Sequence, residues 1–201
     1  MTDTKHATND SAANGKPKKT ERQERDHYIT PAWATEALLN AAPELLWPQR
    51  ILDPAAGNGG ILDVVTSRIS HRLSCVGIEL DAERAAAKGY IHGNGLEVDW
   101  RGYTVIMNPP YSEAQAFIER GLIQGVRFAA LLRLGFLASG RRYDGLWETV
   151  QGPPDHVLVL SERPSFAHGR TENSEYAWFV WGLRVHRPML GWLRRSGEFR
   201  W

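Results

Sequence analysis

Short apolar runs alternate with polar, helically spaced segments along most of this chain, and that alternation predicts an α/β domain. Residues 1 to about 24 carry almost nothing to bury and read as a disordered polar tail. The pattern changes at Tyr28-Ile29-Thr30-Pro31, where Thr30 suits a helix N-cap and Pro31 a first helical residue. Trp33, Ala37, Leu38 and Leu45 then recur at helical spacing. Arg50 to Asp53 reads as a short strand, followed by a glycine-rich loop and a helix from about Ile61 to Ser70. Ser74 to Glu79 is a second strand, and Asp81 caps a helix reaching about Lys88. A short third strand covers Tyr90 to His92, and the fourth, Tyr103 to Met107, is the clearest. A helix from Glu113 to about Gln124 and a fifth strand from Phe128 to Leu134 follow. Beyond them a helical region broken by glycines is expected from about Leu137 to Val150.

The last third differs. His156 to Leu160 and Glu175 to Trp181 are two strands joined by a polar connection, Ser161 to Ser174, without a helix. Strands alternating with helices imply a mostly parallel, Rossmann-like sheet with helices on both faces. Seven strands are expected, the final pair forming an antiparallel hairpin at one edge. The folded domain is expected to span 25–185. Residues 186–201 then form a basic tail in which Arg194, Arg195 and Arg200 are interleaved with Trp192 and Trp201. Contact with a polyanion and plain packing of the tryptophans are both open for that tail.

Composition narrows the class without choosing a function. A chain of 201 residues, 42% hydrophobic and 23% charged, fits one globular domain. The formal net charge of +1 confines any nucleic-acid surface to a local patch. The single cysteine, Cys75, has no partner for an intrachain disulfide and no metal-ligand spacing around it, so no metal is expected and a reducing cytoplasm fits. Met1 to Lys19 lacks an apolar run, so no secretory signal is expected, and no later segment approaches a membrane span.

The chemistry gathers at the carboxyl ends of the expected strands, where open sheets of this kind bind ligands. After the first strand comes Asp53-Pro54-Ala55-Ala56-Gly57-Asn58-Gly59-Gly60. Glycines admit a ligand close to the backbone, and an aspartate ahead of them suits a cationic amino group better than a pyrophosphate. Glu79, at the second strand's end, stands where an acidic side chain commonly takes ribose hydroxyls. A nucleoside with an amino-acid tail satisfies both, and S-adenosylmethionine is such a molecule. At the fourth strand's end stands Asn108-Pro109-Pro110-Tyr111. Two prolines fix the chain's exit and remove two amide donors, so carbonyl oxygens face outward to accept hydrogen bonds. The Asn108 oxygen and the Pro109 carbonyl can face one amino group, and Tyr111 offers a flat face to a planar base.

With these motifs in this order, the chain resembles the S-adenosylmethionine-dependent DNA adenine methyltransferases that modify the exocyclic N6 amino group, small phage or prophage members in particular. The resemblance runs from about Tyr28 to Leu183 through Tyr28-x-Thr30-Pro31, Asp53-Pro54-x-x-Gly57-x-Gly59-Gly60, Gly77-Ile78-Glu79-Leu80-Asp81 and Asn108-Pro109-Pro110-Tyr111. Arg163-Pro164-Ser165-Phe166 and Tyr176-Ala177-Trp178-Phe179-Val180-Trp181 look like the late region of the phage enzymes. It implies that Tyr28, Thr30, Asp53, Gly57 and Gly59 line the methionine part of S-adenosylmethionine, that Pro54 belongs to the same cofactor-binding set and that Glu79 holds the ribose. Where the family often has an aspartate for the cofactor's adenine, this chain has Gly93-Asn94-Gly95, which gives that role to Asn94. The resemblance further implies DNA as partner, with a flipped adenine in the Asn108–Tyr111 pocket and no metal. Phe166, His168 and Arg170 lie in the loop of the late hairpin, where contact with the base or phosphates and a merely solvated connection are both open. The same tetrapeptide also serves adenine in RNA and a glutamine amide in protein, and a non-catalytic nucleic-acid-binding chain is a further alternative.

Overall fold

The computed structural model describes residues 29–47, 50–68, 74–148, 152–166, 174–183 and 188–200. Among these, nine strands form one sheet: β1 (Arg50–Asp53), β2 (Ser74–Glu79), β3 (Ile91–His92), β4 (Thr104–Met107), β5 (Phe128–Arg133), β6 (His156–Leu160), β7 (Tyr176–Trp181), β8 (Met189–Leu193) and β9 (Phe199–Arg200). The helices are α1 (Ala32–Ala41), α2 (Gly60–Arg68), α3 (Ala82–Lys88) and α4 (Ala114–Gln124). The sheet order is β3-β2-β1-β4-β5-β7-β6-β8-β9. Strands β1 to β5 are parallel neighbours, and β7 runs antiparallel to both β5 and β6. The order reverses between β1 and β4, and there the crevice beyond the carboxyl ends opens.

Successive strand residues point to opposite faces, so the central strands feed two cores. On one face α1 and α2 (Leu38, Leu62, Val65) cover Ile51, Ile106 and Trp178. On the other, α4 (Phe117, Ile118) covers Leu52, Val105 and Phe179. This double cover explains why all four residues of β4 are buried and why Val105-Ile106-Met107 is an unbroken apolar run. Helix α3 begins at Asp81, whose carboxylate accepts the Arg84 backbone N–H at 2.8 Å. No helix among the described residues is long and apolar enough to cross a membrane.

Three features differ from the sequence expectation. The sheet has nine strands, not seven, because Met189–Leu193 pairs in parallel with β6 and Phe199–Arg200 returns antiparallel along it. Residues placed in a basic tail therefore extend the sheet. The β6–β7 pair is antiparallel as expected but lies inside the sheet, since β7 inserts between β5 and β6, and the edge hairpin is β8–β9. After β5 comes not one broken helix but short turns: a 3₁₀ turn (Leu134–Leu137), one helical turn (Gly140–Arg142) and a π-turn (Tyr143–Trp147). The expected tail over residues 1 to 24 lies outside the described residues.

Candidate active site

The cleft forms where the chain before α1, the loop after β1 and the segment after β4 meet. Thr30, Asp53, Gly57, Asn58, Gly60 and Asn108 line it. Thr30 does not cap α1: the helix starts at Ala32 after Pro31, with no side-chain cap. Instead the Asn108 Nδ2 donates to Thr30 Oγ1 at 3.1 Å. That bond turns the amide so that Oδ1 is its opposite end. The segment is anchored on its other side by the Ile29 backbone N–H, which donates to the Phe166 carbonyl at 3.2 Å. Gly60 permits the approach, because a Cβ there would stand 2.6 Å from the Thr30 carbonyl oxygen.

Asp53 ends β1 at 1% exposure. One carboxylate oxygen accepts the Ala55 N–H at 3.0 Å. Burial pushes its pKa up from 3.8 to about 7, the Ala55 bond opposes the shift, and the nearby Glu79 charge adds to it. A buried carboxyl next to another carboxylate is suited to a cationic partner. Gly57 and Gly59 sit in the loop with φ of 52° and 84°. The loop is pinned to β2 by the Ala56 N–H donating to the Ile78 carbonyl at 2.9 Å, with Pro54 buried beneath it.

Glu79 is 7% exposed at the end of β2. Its Oε1 accepts the Asp81 N–H at 2.8 Å and an Arg84 guanidinium N–H at 3.1 Å. The turn holding Asn94 lies alongside, since the Gly93 N–H donates to the Glu79 carbonyl at 3.0 Å. Gly95 lets this turn reach the glycine loop: a Cβ there would overlap the Pro54 carbonyl oxygen at 1.8 Å. Asn94 uses its own side chain locally. Its Oδ1 accepts the Leu96 N–H at 3.0 Å, and its Nδ2 donates to Glu97 Oε1 at 3.1 Å.

After Asn108, Pro109 is buried and Pro110 partly so, and the Pro110 carbonyl accepts the Glu113 N–H at 2.9 Å, starting α4. The Tyr111 ring lies 5.7 Å from that of Tyr176, inclined by 38°. Arg133, closing β5, places its guanidinium carbon 5.0 Å from the Tyr111 centroid. Phe166, for which contact with a ligand and a solvated connection were both open, does neither with its ring: it lies within the core at 2% exposure and meets Tyr176 edge-on at 4.8 Å. Its backbone, not its ring, reaches toward the cleft. Tyr28, His168 and Arg170 lie outside the described residues. Sequence reasoning did not single out Arg84 or Tyr176 for the site; Arg133, like Arg141 and Arg142, flanks the fifth strand in the sequence and is there a cation that could meet phosphates. A signal was present at Arg133, the first charge after five buried residues of β5.

The architecture has counterparts among solved structures. The methyltransferase subunit of a type I restriction-modification system from Streptococcus thermophilus superposes with a TM-score of 0.61 at 17% identity, over 87% of this chain and 49% of that one. The chain has a class I methyltransferase fold. The M protein of the type I restriction enzyme EcoKI gives a TM-score of 0.56 at 16% identity, over 84% of this chain and 48% of that one. The chain thus spans about half the length of both proteins. A candidate RNA methyltransferase from Pyrococcus horikoshii gives 0.55 at 17% identity, over 76% of this chain and 85% of that one. No protein-family model and no curated sequence matches the chain. Relative to the seven strands of the sequence expectation, β8 and β9 add an antiparallel pair beyond β6.

Proposed function

We propose that this chain is an S-adenosylmethionine-dependent methyltransferase acting on the N6 amino group of adenine in DNA. The observation that carries the reading is the bond from Asn108 to Thr30, which draws the acceptor-facing tetrapeptide and the glycine-loop cleft into one site. The residues fit the cofactor. Buried Asp53 gains an ammonium partner, the missing Cβ of Gly60 keeps the cleft open beside Thr30, and Glu79 takes the ribose. Pro54, Gly57 and Gly59 line the methionine part. The Asn94 turn meets the cofactor's adenine, its side chain first giving up its local bonds.

S-adenosylmethionine, when bound, supplies an electrophilic methyl group. The protein's part is to hold and orient the acceptor. An adenine amino nitrogen is a poor nucleophile because its lone pair is delocalised into the ring. Asn108 Oδ1 and the Pro109 carbonyl would accept hydrogen bonds from its two N–H groups, which favours a tetrahedral nitrogen with an available lone pair. Pro110 stiffens the turn, and Tyr111 holds the flipped base. Positioning and electrostatics then supply most of the rate. The Thr30–Asn108 bond presents the amide in the needed sense, and the early segment that carries Thr30 favours DNA over other acceptors.

The test is expression in a methylation-deficient bacterial host, followed by modification-sensitive sequencing. Wild type is expected to leave N6-methyladenine in one short motif, and Asn108→Ala to leave none while retaining cofactor affinity by calorimetry. Unmodified DNA with methylated RNA or a methylated peptide amide would transfer the same chemistry to another acceptor. Absence of cofactor binding would overturn the enzyme reading altogether.

A further inference from the structure

The tyrosine that would stack on the flipped base already has a planar group over its ring. Arg133 holds its guanidinium carbon 5.0 Å from the Tyr111 centroid, and its Nε donates to the Tyr176 hydroxyl at 3.2 Å. A guanidinium over a phenol ring takes the place a planar base takes in a stacked complex. The two neighbours of Tyr111 differ in freedom. Tyr176 is fully buried and held edge-on by Phe166, so it stays. Arg133 is an exposed residue on a long flexible arm, so it can leave.

Its place in the sheet gives it somewhere to go. Arg133 ends β5, the parallel neighbour of β4, so it stands at the same edge as Asn108 and Tyr111. A nucleotide whose base enters the Tyr111 pocket brings its own flanking phosphates to that edge. The planar fork of an arginine matches phosphate oxygens in pairs, a stronger contact than an exposed ring face. The geometry points to Arg133 as an exchangeable occupant of Tyr111. On base binding the guanidinium leaves the ring and pairs with a phosphodiester beside the flipped nucleotide. This rests on the nucleic-acid reading above. It makes Arg133 a positioning residue that favours nucleic acid over a peptide amide, which has no phosphate to receive it.

Salt-dependent binding of a labelled adenine-containing single strand tests this, using the full chain with S-adenosylhomocysteine. Each phosphate contact adds about 0.7 to the slope of log affinity against log salt for a single strand. Arg133→Ala is expected to lower the slope by about that amount, and Arg133→Lys to keep it, because a point charge still neutralises a phosphate. With the ring cleared, the preference for the adenine strand over an abasic one is expected to persist or grow in Arg133→Ala. Arg133→Gln and thermal melting separate these effects from a folding defect. RNA and DNA strands run side by side distinguish the source of the phosphate. An unchanged slope in Arg133→Ala, or loss of the adenine preference with the slope intact, would overturn the exchange and leave Arg133 as a prop for Tyr111. If wild type binds no strand, the nucleic-acid reading fails as well; if wild type methylates DNA while the slope ignores Arg133, only this inference fails.

Discussion

Asp53→Asn probes the electrostatic state of the proposed cofactor cleft without relying on the reaction. Asp53 ends a buried strand and ionises near pH 7 rather than at 3.8, chiefly because burial opposes its charge. Folding therefore takes up a proton that the unfolded chain releases between those two values. Stability must fall as pH rises through that window, and the loss is complete above the folded pKa. At about 1.4 kcal/mol per unit, a rise from 3.8 to about 7 disfavours the charged folded state by about 4 kcal/mol. Asparagine keeps the shape and the acceptor for the Ala55 N–H but cannot ionise.

The cofactor-free variant is thus expected to match wild type near pH 4 and to exceed it by about 2–4 kcal/mol near pH 8. For a chain of this size that is a melting-temperature gain of roughly 5–15 °C. The assay is thermal denaturation of both proteins across that range. Cofactor affinity should move the other way. In wild type it tightens as pH rises through about 7, since an ammonium group prefers the ionised carboxylate, while in Asp53→Asn it is weaker and loses that pH dependence. Melting curves that stay parallel from acid to alkaline pH would refute the assignment of a protonated Asp53 in the cofactor-free fold.

Two further substitutions test the site's scaffold. Thr30→Val keeps the volume of a buried side chain but removes the acceptor of the Asn108 amide, which should cost about 1–3 kcal/mol; in a stability double-mutant cycle with Asn108→Ala the two effects should fail to add, and additivity would mean the bond is not made. Phe166→Ala should lower stability by about 3–5 kcal/mol with the acceptor KM moved far less, as for a core aromatic; an intact melting temperature with a raised KM would return Phe166 to the substrate.

How much of this was legible depended on whether a signal was local. The runs Ile51-Leu52, Cys75-Val76 and Val105-Ile106 announced themselves because strands covered on both faces must be hydrophobic throughout. Asp81 was legible as a cap because the partner it satisfies lies three residues away. Thr30 obeys the same preference in sequence and not in the fold: a partner 78 residues downstream outcompetes its own helix. Strands β8 and β9 were missed because an edge with an exposed face alternates weakly, and Trp192 and Arg200, opposite each other in register, read singly as tail. Pairing β6 with β7 needed only adjacency, but seating β7 between β5 and β6 needed the register of Phe128 against Trp181, which no spacing encodes.

The site follows the same division. The place of Asp53, Gly57, Gly59, Glu79 and Asn108 at the carboxyl edge of the sheet was legible because each follows or ends a strand, so finding the strands locates the residues. What makes them one site is not legible: the Thr30–Asn108 bond, the close approach at Gly60 and Arg133 over Tyr111 each join segments far apart in the chain. The contrast also explains Phe166. An aromatic in a polar loop invites a ligand reading, yet Tyr176 presents a ring beneath that loop, and an aromatic edge burying itself there gains more than one left in water. The loop then serves the site through its backbone, where the Phe166 carbonyl receives the Ile29 N–H and fixes the segment that carries Thr30.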